Sequence, residues 1–345
     1  MLRSPPVAPV RPVADDHFGT RIVDNYRYFE NLKDPEVQEW MKAQADYARA
    51  TLDALPGRVG AARSVAVKLP SADSTLVILL GTGNPVPDPE AAGPATAVVV
   101  GPRVFLFDAG AGVMRRVRAA KLPTSGPTAL FITHLHSDHT LGYPDVIFTT
   151  WVMGRTKPLD VFGPHGLQSM TDHIIAAWKE DIDIRSHGLE HRASNGYAVR
   201  VHEIAPGVVY DSGGVKITAI PVLHGSWKEA YGYRIDTPDR SIVLSGDTRP
   251  SQAIEEAARG VDVLIHEAYP ESANLTPRDS AFASYRRSFH TSAVELGRLA
   301  AIAKPKMVVL YHHVLPPDGG AALIAAVRGA GYQGRVIFGK DLDRF

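Results

Sequence analysis

The sequence predicts an α/β fold, an αββα sandwich preceded by an N-terminal helical extension. Its 345 residues are 45% hydrophobic and 21% charged, which is typical of a soluble globular protein. From residue 74 onward, short apolar runs separated by Gly, Pro and Asn indicate strands. Towards the C-terminus these strands alternate with helical patterns, so we expect two antiparallel-rich halves, each with helices on its outer side.

Charge and residue usage narrow the class of protein. Lys+Arg and Asp+Glu both number 37, so the formal net charge is zero, which argues against a surface built for nucleic acid but leaves a local basic patch open. No cysteine is present, so any metal site must use His, Asp and Glu. No apolar stretch approaches the roughly 18 residues that span a bilayer, so we expect a soluble protein without a membrane partner. No signal peptide is evident, and the compartment stays open between the cytoplasm and, if a signal has been removed, the periplasm.

Three parts are predicted along the chain. Residues 1–13 are rich in proline and should form a mobile N-terminus. Residues 14–73 should form a helical segment followed by a linker. Residues 74–345 carry the strand patterns and should form the main domain.

One helix is predicted in the second part. Asp34 is a suitable N-cap and Pro35 favours the first helical position, whereas Pro56-Gly57 should end the helix near residue 55. Residues 14–58 resemble the N-terminal segment of prolyl oligopeptidases, but no G-x-S-x-G motif supplies a serine nucleophile. We therefore expect a packing or dimerising segment, and a homodimer. The predicted apolar face of the helix consists of Val37, Met41, Ala48, Leu52 and Leu55.

The main domain begins with strands. Leu76–Leu80 is a continuous apolar run, which fits a strand buried on both faces. Ala97–Val100 and Val104–Phe107 should form a hairpin that turns at Gly101-Pro102. Asp108 then precedes a helix, where it could cap that helix or hydrogen-bond a metal-ligating histidine.

The strongest chemical signal is the run T-H-L-H-S-D-H over residues 133–139, directly after an apolar run. Neutral imidazole and carboxylate are the N and O ligands that zinc takes in catalytic sites. His134 and His136 are two residues apart and can point the same way from an extended segment. Asp138 and His139 follow where the chain must turn, so they can face a second ion. A solvated loop is the alternative, but four candidate ligands at fixed spacing favour a metal site.

Helices and strands continue to the C-terminus. An apolar helix should run through Trp151, and another from about Leu167 to Trp178. Residues 181–196 are polar and should be irregular, with His187 and His191 as loop histidines near the mouth of the site. Further strands are expected at 159–163, 197–204, 207–211, 215–223, 231–236 and 241–245. The tail should alternate between helices near 251–259, 292–303 and 320–329 and strands at 261–266, 306–311 and 335–338.

Later motifs give the chain a family resemblance. His224 lies in P-V-L-H-G, Asp247 in L-S-G-D-T, and His312 ends the run M-V-V-L-Y-H, with His313 as its neighbouring alternative. In this order, residues 74–345 resemble the metallo-β-lactamase superfamily and its αββα fold. The resemblance implies two bound Zn²⁺ ions, with Mn²⁺ or Fe²⁺ as alternatives. It also implies a hydroxide shared by the two ions and oriented by a hydrogen bond to Asp138. It also implies the ligands: His134, His136 and His224 for one ion, Asp138, His139 and His312 for the other, and Asp247 as the bridge.

Two more motifs resemble those of the tRNase Z-like and arylsulfatase-like branches. They are His266-Glu267-Ala268 and Phe289-His290-Thr291. The resemblance implies that His290 serves the leaving group, as a general acid or oxyanion contact, and that Glu267 orients it. Alternatively, His266 lies in the core or hydrogen-bonds a metal ligand without binding metal itself, and Glu267 caps a helix.

The first functional expectation is a dinuclear zinc hydrolase of small anionic esters, of arylsulfatase or phosphodiesterase type. A tRNase Z-like endoribonuclease is the alternative, with RNA less favoured because that family's projecting RNA-binding arm is not evident. β-Lactamase or lactonase activity and a non-catalytic scaffold are further alternatives, and the bridging Asp247 argues against a dedicated β-lactamase. Arg155, Lys157 and Arg249 could meet an anionic group, but are expected to be ordinary surface residues.

Overall fold

Two units make up the chain, Met1–Lys68 and Leu69–Phe345. The computed structural model describes residues 5–53, 74–271, 284–313 and 320–345. The linker predicted near residues 59–73 and the predicted helix end at Leu55 lie outside the described residues. Among the described helices, none is long and apolar enough to cross a membrane.

The first unit contains a hairpin that the sequence did not predict, because its two strands are mostly exposed and lack an apolar alternation. The predicted helix is present, and the Asp34 carboxylate accepts a hydrogen bond from the backbone N–H of Glu36 at 2.8 Å. The elements are β1 Val13–His17, β2 Thr20–Asp24, a 3-10 turn Arg27–Glu30 and α1 Pro35–Asp53.

The inner face of α1 differs from the prediction. Val37 is fully buried, but Met41 is 49% exposed and Ala48 is also exposed. The Trp40 ring instead packs on Phe29, with centroids 4.7 Å apart. A large aromatic ring buries more apolar area than a methionine next to it, so the helix turns its tryptophan inward.

The second unit contains two sheets. The first has the strand order β3-β4-β5-β6-β7-β8, and the second has the order β15-β14-β13-β12-β11-β10-β9. The strands of the first sheet are Thr75–Gly81, Ala95–Val100, Arg103–Phe107, Ala129–Phe131, Leu159–Gly163 and Val199–Glu203. Those of the second, from β9 to β15, are Gly207–Ser212, Val215–Pro221, Tyr231–Asp236, Ser241–Leu244, Val263–Ala268, Met307–His313 and Arg335–Phe338.

Each sheet is antiparallel at one end and parallel at the other. Strands β3 to β5 and β9 to β12 pair antiparallel, whereas β5 to β8 and β12 to β15 pair parallel. The expected antiparallel-rich halves are therefore wrong. Helical crossovers join most of the later strands, and a crossover returns the chain in the parallel direction.

Helices cover both sheets, which confirms the αββα architecture. They are α2 Val113–Ala119, α3 Ser137–Thr140, α4 Tyr143–Val152, α5 Leu167–Ala177, α6 Lys179–His187, α7 Gln252–Ala257, α8 Ala293–Ala303 and α9 Ala321–Gly329. The helix α6 occupies a stretch predicted to be irregular. Ion pairs one turn apart, such as Arg185 Nε to Asp181 Oδ1 at 2.9 Å, support it in place of an apolar stripe.

Aromatic residues fill the space between the sheets. Phe107 and Phe131 stack at 5.1 Å, and Tyr233 from the other sheet lies 5.5 and 5.7 Å from them. Full burial of a side chain such as Phe131 contributes about 1.5–3 kcal/mol. Near this core a hydrogen bond joins the two sheets. The backbone N–H of Tyr231, at the start of β11, donates to the carbonyl of Thr133, which follows β6, at 2.9 Å. The loops that follow β6 and β12 to β14 therefore face one another.

Candidate metal centre

Three histidines form the first half of the site. His134 and His136 follow β6, and His224 lies in the loop between β10 and β11. His134 Nε2 lies 2.8 Å from His136 Nδ1, which lies 3.1 Å from His224 Nε2. These three nitrogens could hold one metal ion, and we call the three residues the imidazole subsite.

Two histidines and a carboxylate form the second half. Asp138 and His139 lie in the short helix α3, and His312 lies near the end of β14. Asp138 Oδ2 is 3.6 Å from His139 Nε2 and 3.2 Å from His312 Nε2. These atoms could hold a second ion, and we call the three residues the carboxylate subsite.

The structure brings His312, and not His313, to the cluster. The backbone of His312 has a φ of 47°, which is rare for a residue with a Cβ and marks a local bend in the strand. His313 points elsewhere, because its Nε2 donates to the carbonyl of Leu310 at 3.1 Å and its ring stacks on Phe338 at 3.7 Å.

Asp247 lies between the two subsites, directly after β12. Its Oδ1 is 3.4 Å from His139 Nε2, and its Oδ2 is 3.4 Å from His312 Nε2 and 3.9 Å from His224 Nε2. The preceding Gly246 has a φ of 59°, and a Cβ there would lie 2.7 Å from the carbonyl oxygen of Tyr231. A glycine is therefore required where the chain carries this carboxylate into the cluster.

Asp108 orients ligands of both subsites from behind. Its Oδ2 accepts the Nδ1–H of His139 at 2.8 Å and lies 2.9 Å from the hydroxyl of Thr133. That hydroxyl lies 3.0 Å from Nδ1 of His134, so it can accept the ring proton while donating to Asp108. The alternative role as a helix cap is wrong, because Gly112 is the N-cap of α2.

Burial and charge act differently on the histidines. Burial holds the pKa of His134 well below its ordinary value and lowers the pKa of His224 to about 4. Burial also opposes a charge on His139, but the carboxylates of Asp247 and Asp108 raise the pKa of that ring well above its ordinary value. The imidazole subsite thus offers neutral donors, whereas the carboxylate subsite attracts positive charge.

The residues fit divalent cations. Among the described residues, His139 Nε2 and Asp247 Oδ1 are buried without a hydrogen-bond partner. Leaving such atoms unsatisfied is costly, and both face the space between the subsites. All candidate donors are imidazole nitrogens or carboxylate oxygens, which zinc accepts.

Beside the cluster, His290 pairs with Glu267. His290 Nδ1 lies 2.6 Å from Glu267 Oε2 and 3.9 Å from Asp247 Oδ2. Burial opposes a charge on His290, but Glu267 raises its pKa to about 9. Glu267 lies inside β13 and also accepts the N–H of Thr248 at 2.6 Å, so its alternative role as a helix cap is wrong.

Several other candidates lie away from these groups. His266 is buried, its Nδ1 donates to the carbonyl of Glu267 at 2.7 Å, and burial lowers its pKa to about 4. His187 ends α6, and neither it nor His191 belongs to a metal-binding group among the described residues. Arg155 is not a surface residue, because its guanidinium is buried against backbone carbonyls such as that of Ile147 at 2.8 Å.

Of the two aromatic residues around the imidazole subsite, Trp227 was missed in the sequence, and Phe289 was named only as part of the His290 motif. Trp227 lies with its Nε1 2.8 Å from His136 Nε2, and the carbonyl of Phe289 accepts the Nδ1–H of His224 at 2.7 Å. Their only sequence signal is that each lies within three residues of a motif histidine. On the other side, a cleft of about 640 Å³ adjoins the carboxylate subsite and is lined in part by Arg115 and Asp138.

Two family models match the chain. One, described as the beta-lactamase superfamily domain, matches residues 103–313. The other, the N-terminal β-propeller domain of prolyl oligopeptidase, matches residues 5–67, so the predicted resemblance of this segment is confirmed. The described part of that segment contains one hairpin and one helix.

Curated relatives include bacterial ribonucleases Z. The ribonuclease Z of Mycobacterium marinum is 34% identical over 280 residues, which cover 78% of this chain and 97% of the relative. That of Mycobacterium bovis is 33% identical over 275 residues, covering 78% of this chain and 96% of the relative.

Solved structures share the fold at lower identity. The metallo-β-lactamase fold protein YhfI of Bacillus subtilis aligns with a TM-score of 0.62 at 17% identity, covering 79% of this chain and 98% of that one. The short form of human tRNase Z aligns with a TM-score of 0.59 at 22% identity, covering 78% and 98%. A diphosphatase of the PhnP family aligns with a TM-score of 0.56 at 18% identity, covering 79% and 97%.

Proposed function

Because this chain belongs to the metallo-β-lactamase superfamily and is a metal-dependent hydrolase of ester bonds, we propose that it is a ribonuclease Z-like phosphodiesterase. Relatives named ribonuclease Z match 78% of the chain, which supports this activity over the aryl sulfate hydrolysis first expected from the sequence. The preferred substrate is then a nucleic-acid phosphodiester.

We propose that two zinc ions bind at this site, one in each subsite, with Asp247 between them. Bound divalent cations supply Lewis-acid polarisation of an ester oxygen and make water a stronger acid. The protein's own part is to hold the donors. Asp108 fixes the ring of His139 directly and that of His134 through Thr133, and Asp138 is available at the cleft to orient an incoming water.

The pair of His290 and Glu267 carries the proposal. The Nδ1–H of His290 donates to Glu267, so the ring is fixed and Nε2 is the atom that can hold a proton for the leaving group. A sugar alkoxide leaving from a phosphodiester is strongly basic and needs that proton. A phenolate leaving from an aryl ester is a stable anion and needs it little, so the pair favours an alkyl phosphodiester.

Hydrolysis of a small phosphodiester is the second candidate. The described residues between β7 and β8 form the helices α5 and α6 and the connection 188–198, and they contain no strand pair. A long RNA would then lack one of the contacts expected for a tRNA-processing enzyme.

Turnover by the zinc-loaded protein tests the proposal. We expect cleavage of a tRNA precursor with a 3′ extension and of bis-nitrophenyl phosphate, and little turnover of nitrophenyl sulfate. His290→Gln should nearly abolish cleavage of the RNA. His187→Gln is a matched control at an exposed helix end and should leave it unchanged.

Preferential turnover of the sulfate ester would contradict the proposal. Turnover of bis-nitrophenyl phosphate and of a short dinucleotide, but not of the tRNA precursor, would favour the second candidate.

A further inference from the structure

An aromatic pair adjoins the imidazole subsite. The rings of Tyr285 and Phe289 stack with centroids 4.3 Å apart and an interplanar angle of 25°. Both belong to a helical segment over residues 284–289 that leads directly into His290. We call these two rings the aromatic ledge.

Phe289 is built into the wall of the site. The backbone N–H of Gly225 donates to the carbonyl of Ser288 at 3.0 Å, which joins the helical segment to the loop that carries His224. Gly225 has a φ of 53°, and a Cβ there would lie 2.0 Å from the Phe289 ring. The ring therefore lies directly over this loop, with its centroid 5.1 Å from that of His224.

Tyr285 extends the ledge outward to solvent. Tyr285 is 45% exposed, so part of its ring is open to a ligand from solvent. Its centroid is 6.3 Å from that of His290. A group that receives a proton from His290 would thus have an aromatic surface within reach.

Arginines lie in the chain segments next to the ledge. Arg286 and Arg287 belong to the helical segment itself; the Arg286 guanidinium lies over the Tyr269 ring, 5.9 Å from its centroid, and Arg287 is exposed. Arg249 is also exposed, and its backbone N–H donates to the carbonyl of Leu223 at 3.0 Å, next to the His224 loop. An exposed aromatic ring near arginines is a combination that binds single-stranded nucleic acid, because the ring stacks on a base and the cations contact phosphates.

We propose that the aromatic ledge is a stacking site for one nucleobase of the substrate, with Arg249 and Arg287 as contacts to its phosphates. The inference rests on the proposed phosphodiesterase function and adds the place where a base of the substrate is bound, which is the surface of the Tyr285 and Phe289 rings. Stacking tolerates any base, since every base has an aromatic face. The ledge therefore confers a preference for nucleotides over simple phosphodiesters, without a sequence code.

Calorimetric binding to the zinc-loaded protein tests the ledge without turnover. The probes are adenosine 5′-monophosphate and ribose 5-phosphate, which differ in the base alone. We expect the wild type to bind the nucleotide about 5- to 100-fold more tightly. Tyr285→Ala and Tyr285→Leu should lose this preference, and Tyr285→Phe should keep it. Tyr26→Ala is a matched control, because Tyr26 is also 45% exposed and also contacts a phenylalanine ring.

Equal binding of the two probes by the wild type would overturn the proposal that the ledge binds a nucleobase. A preference for the nucleotide that persists in both Tyr285→Ala and Tyr285→Leu would also overturn it. Failure of the nucleotide to bind would overturn it too. The two proposals fail separately. Base-dependent binding without cleavage of any phosphodiester would leave the ledge standing and remove the proposed function, and cleavage without base-dependent binding would do the reverse.

Discussion

The imidazole and carboxylate subsites are built from different chemistry, although they lie side by side. The first has three buried or half-buried rings, and burial lowers the pKa of His134 and His224 so that both are neutral donors near pH 7. The second contains the carboxylate of Asp138 and the ring of His139. Burial opposes a charge on that ring, but the neighbouring carboxylates of Asp247 and Asp108 raise its pKa. The first subsite thus offers uncharged nitrogen, and the second offers negative charge.

Because of this difference, we expect the two subsites to differ in their affinity for a given cation. Imidazole nitrogens suit zinc, whereas carboxylate oxygens also suit harder ions such as Mn²⁺. Among the described residues, Asp247 faces both subsites, and Asp108 lies behind ligands of both, in contact with His139 directly and with His134 through Thr133. Substitutions at shared and unshared residues can therefore separate their contributions.

The largest effect is expected at Asp247, because it faces both subsites. Asp247→Asn should lower the cation content below two per chain. It should also lower kcat/KM by more than roughly 100-fold, which is the upper end of the loss seen when a residue that only hydrogen-bonds a metal ligand is removed. Elemental analysis beside turnover measures both. Asp236→Asn, which alters a carboxylate paired with Arg234 at 2.8 Å, is the control and should change neither. Full cation content in Asp247→Asn would show that this carboxylate is not a shared ligand.

His290 lies beside both subsites and, although it could join His224 and Asp247 around a cation, we propose that it is a ligand in neither subsite. His290→Ala should therefore keep both cations but lose about 10²–10⁴-fold, roughly 3–5 kcal/mol, in turnover of an alkyl phosphodiester. A nitrophenyl ester should lose far less, because nitrophenolate leaves without a proton. Equal losses on both substrates would indicate an electrostatic or binding role. Loss of a cation would move His290 into the ligand set.

A smaller effect on cation affinity is expected from the residues that hydrogen-bond the candidate ligands, and it should differ between the two subsites. Asp108→Asn should weaken cation binding about 10–100-fold, chiefly at the carboxylate subsite, because it removes the acceptor of His139 Nδ1–H. Thr133→Val should act on the imidazole subsite instead, because Thr133 contacts His134. Competition with a chromophoric chelator measures both affinities. Equal weakening of both subsites by each variant would remove the proposed separation.

The smallest effect is expected from the first unit. Deletion of residues 1–68 should leave both subsites filled and turnover unchanged within a factor of about two, because none of the described residues of this unit, 5–53, belongs to a candidate ligand group. Gel filtration of the deleted and full chains would show whether this segment makes the dimer that we propose. A folded, cation-loaded deletion variant without turnover would show that the first unit takes part in catalysis.

The positions of most elements in the second unit could be predicted from the sequence. Runs such as 76–80 and 97–100 agree with strands Thr75–Gly81 and Ala95–Val100, because continuous apolar runs report burial on both faces directly. The motif at 133–139 also indicated a metal site unaided, since its donors are neighbours in the chain. In contrast, α6 has no apolar stripe and its helix was missed, because ion pairs one turn apart support it.

Contacts between residues that are distant in the chain could be identified only from the fold. His224, Asp247 and His312 come from the second sheet, and their approach to the first-sheet motif depends on how the two sheets pack. Sequence periodicity measures local burial and contains no information on strand partners, so the parallel pairing of β12 to β15 was not foreseen. For the same reason the choice between two roles for Asp108 needed the fold: its partners, Thr133 and His139, are distant in the chain and adjacent in space.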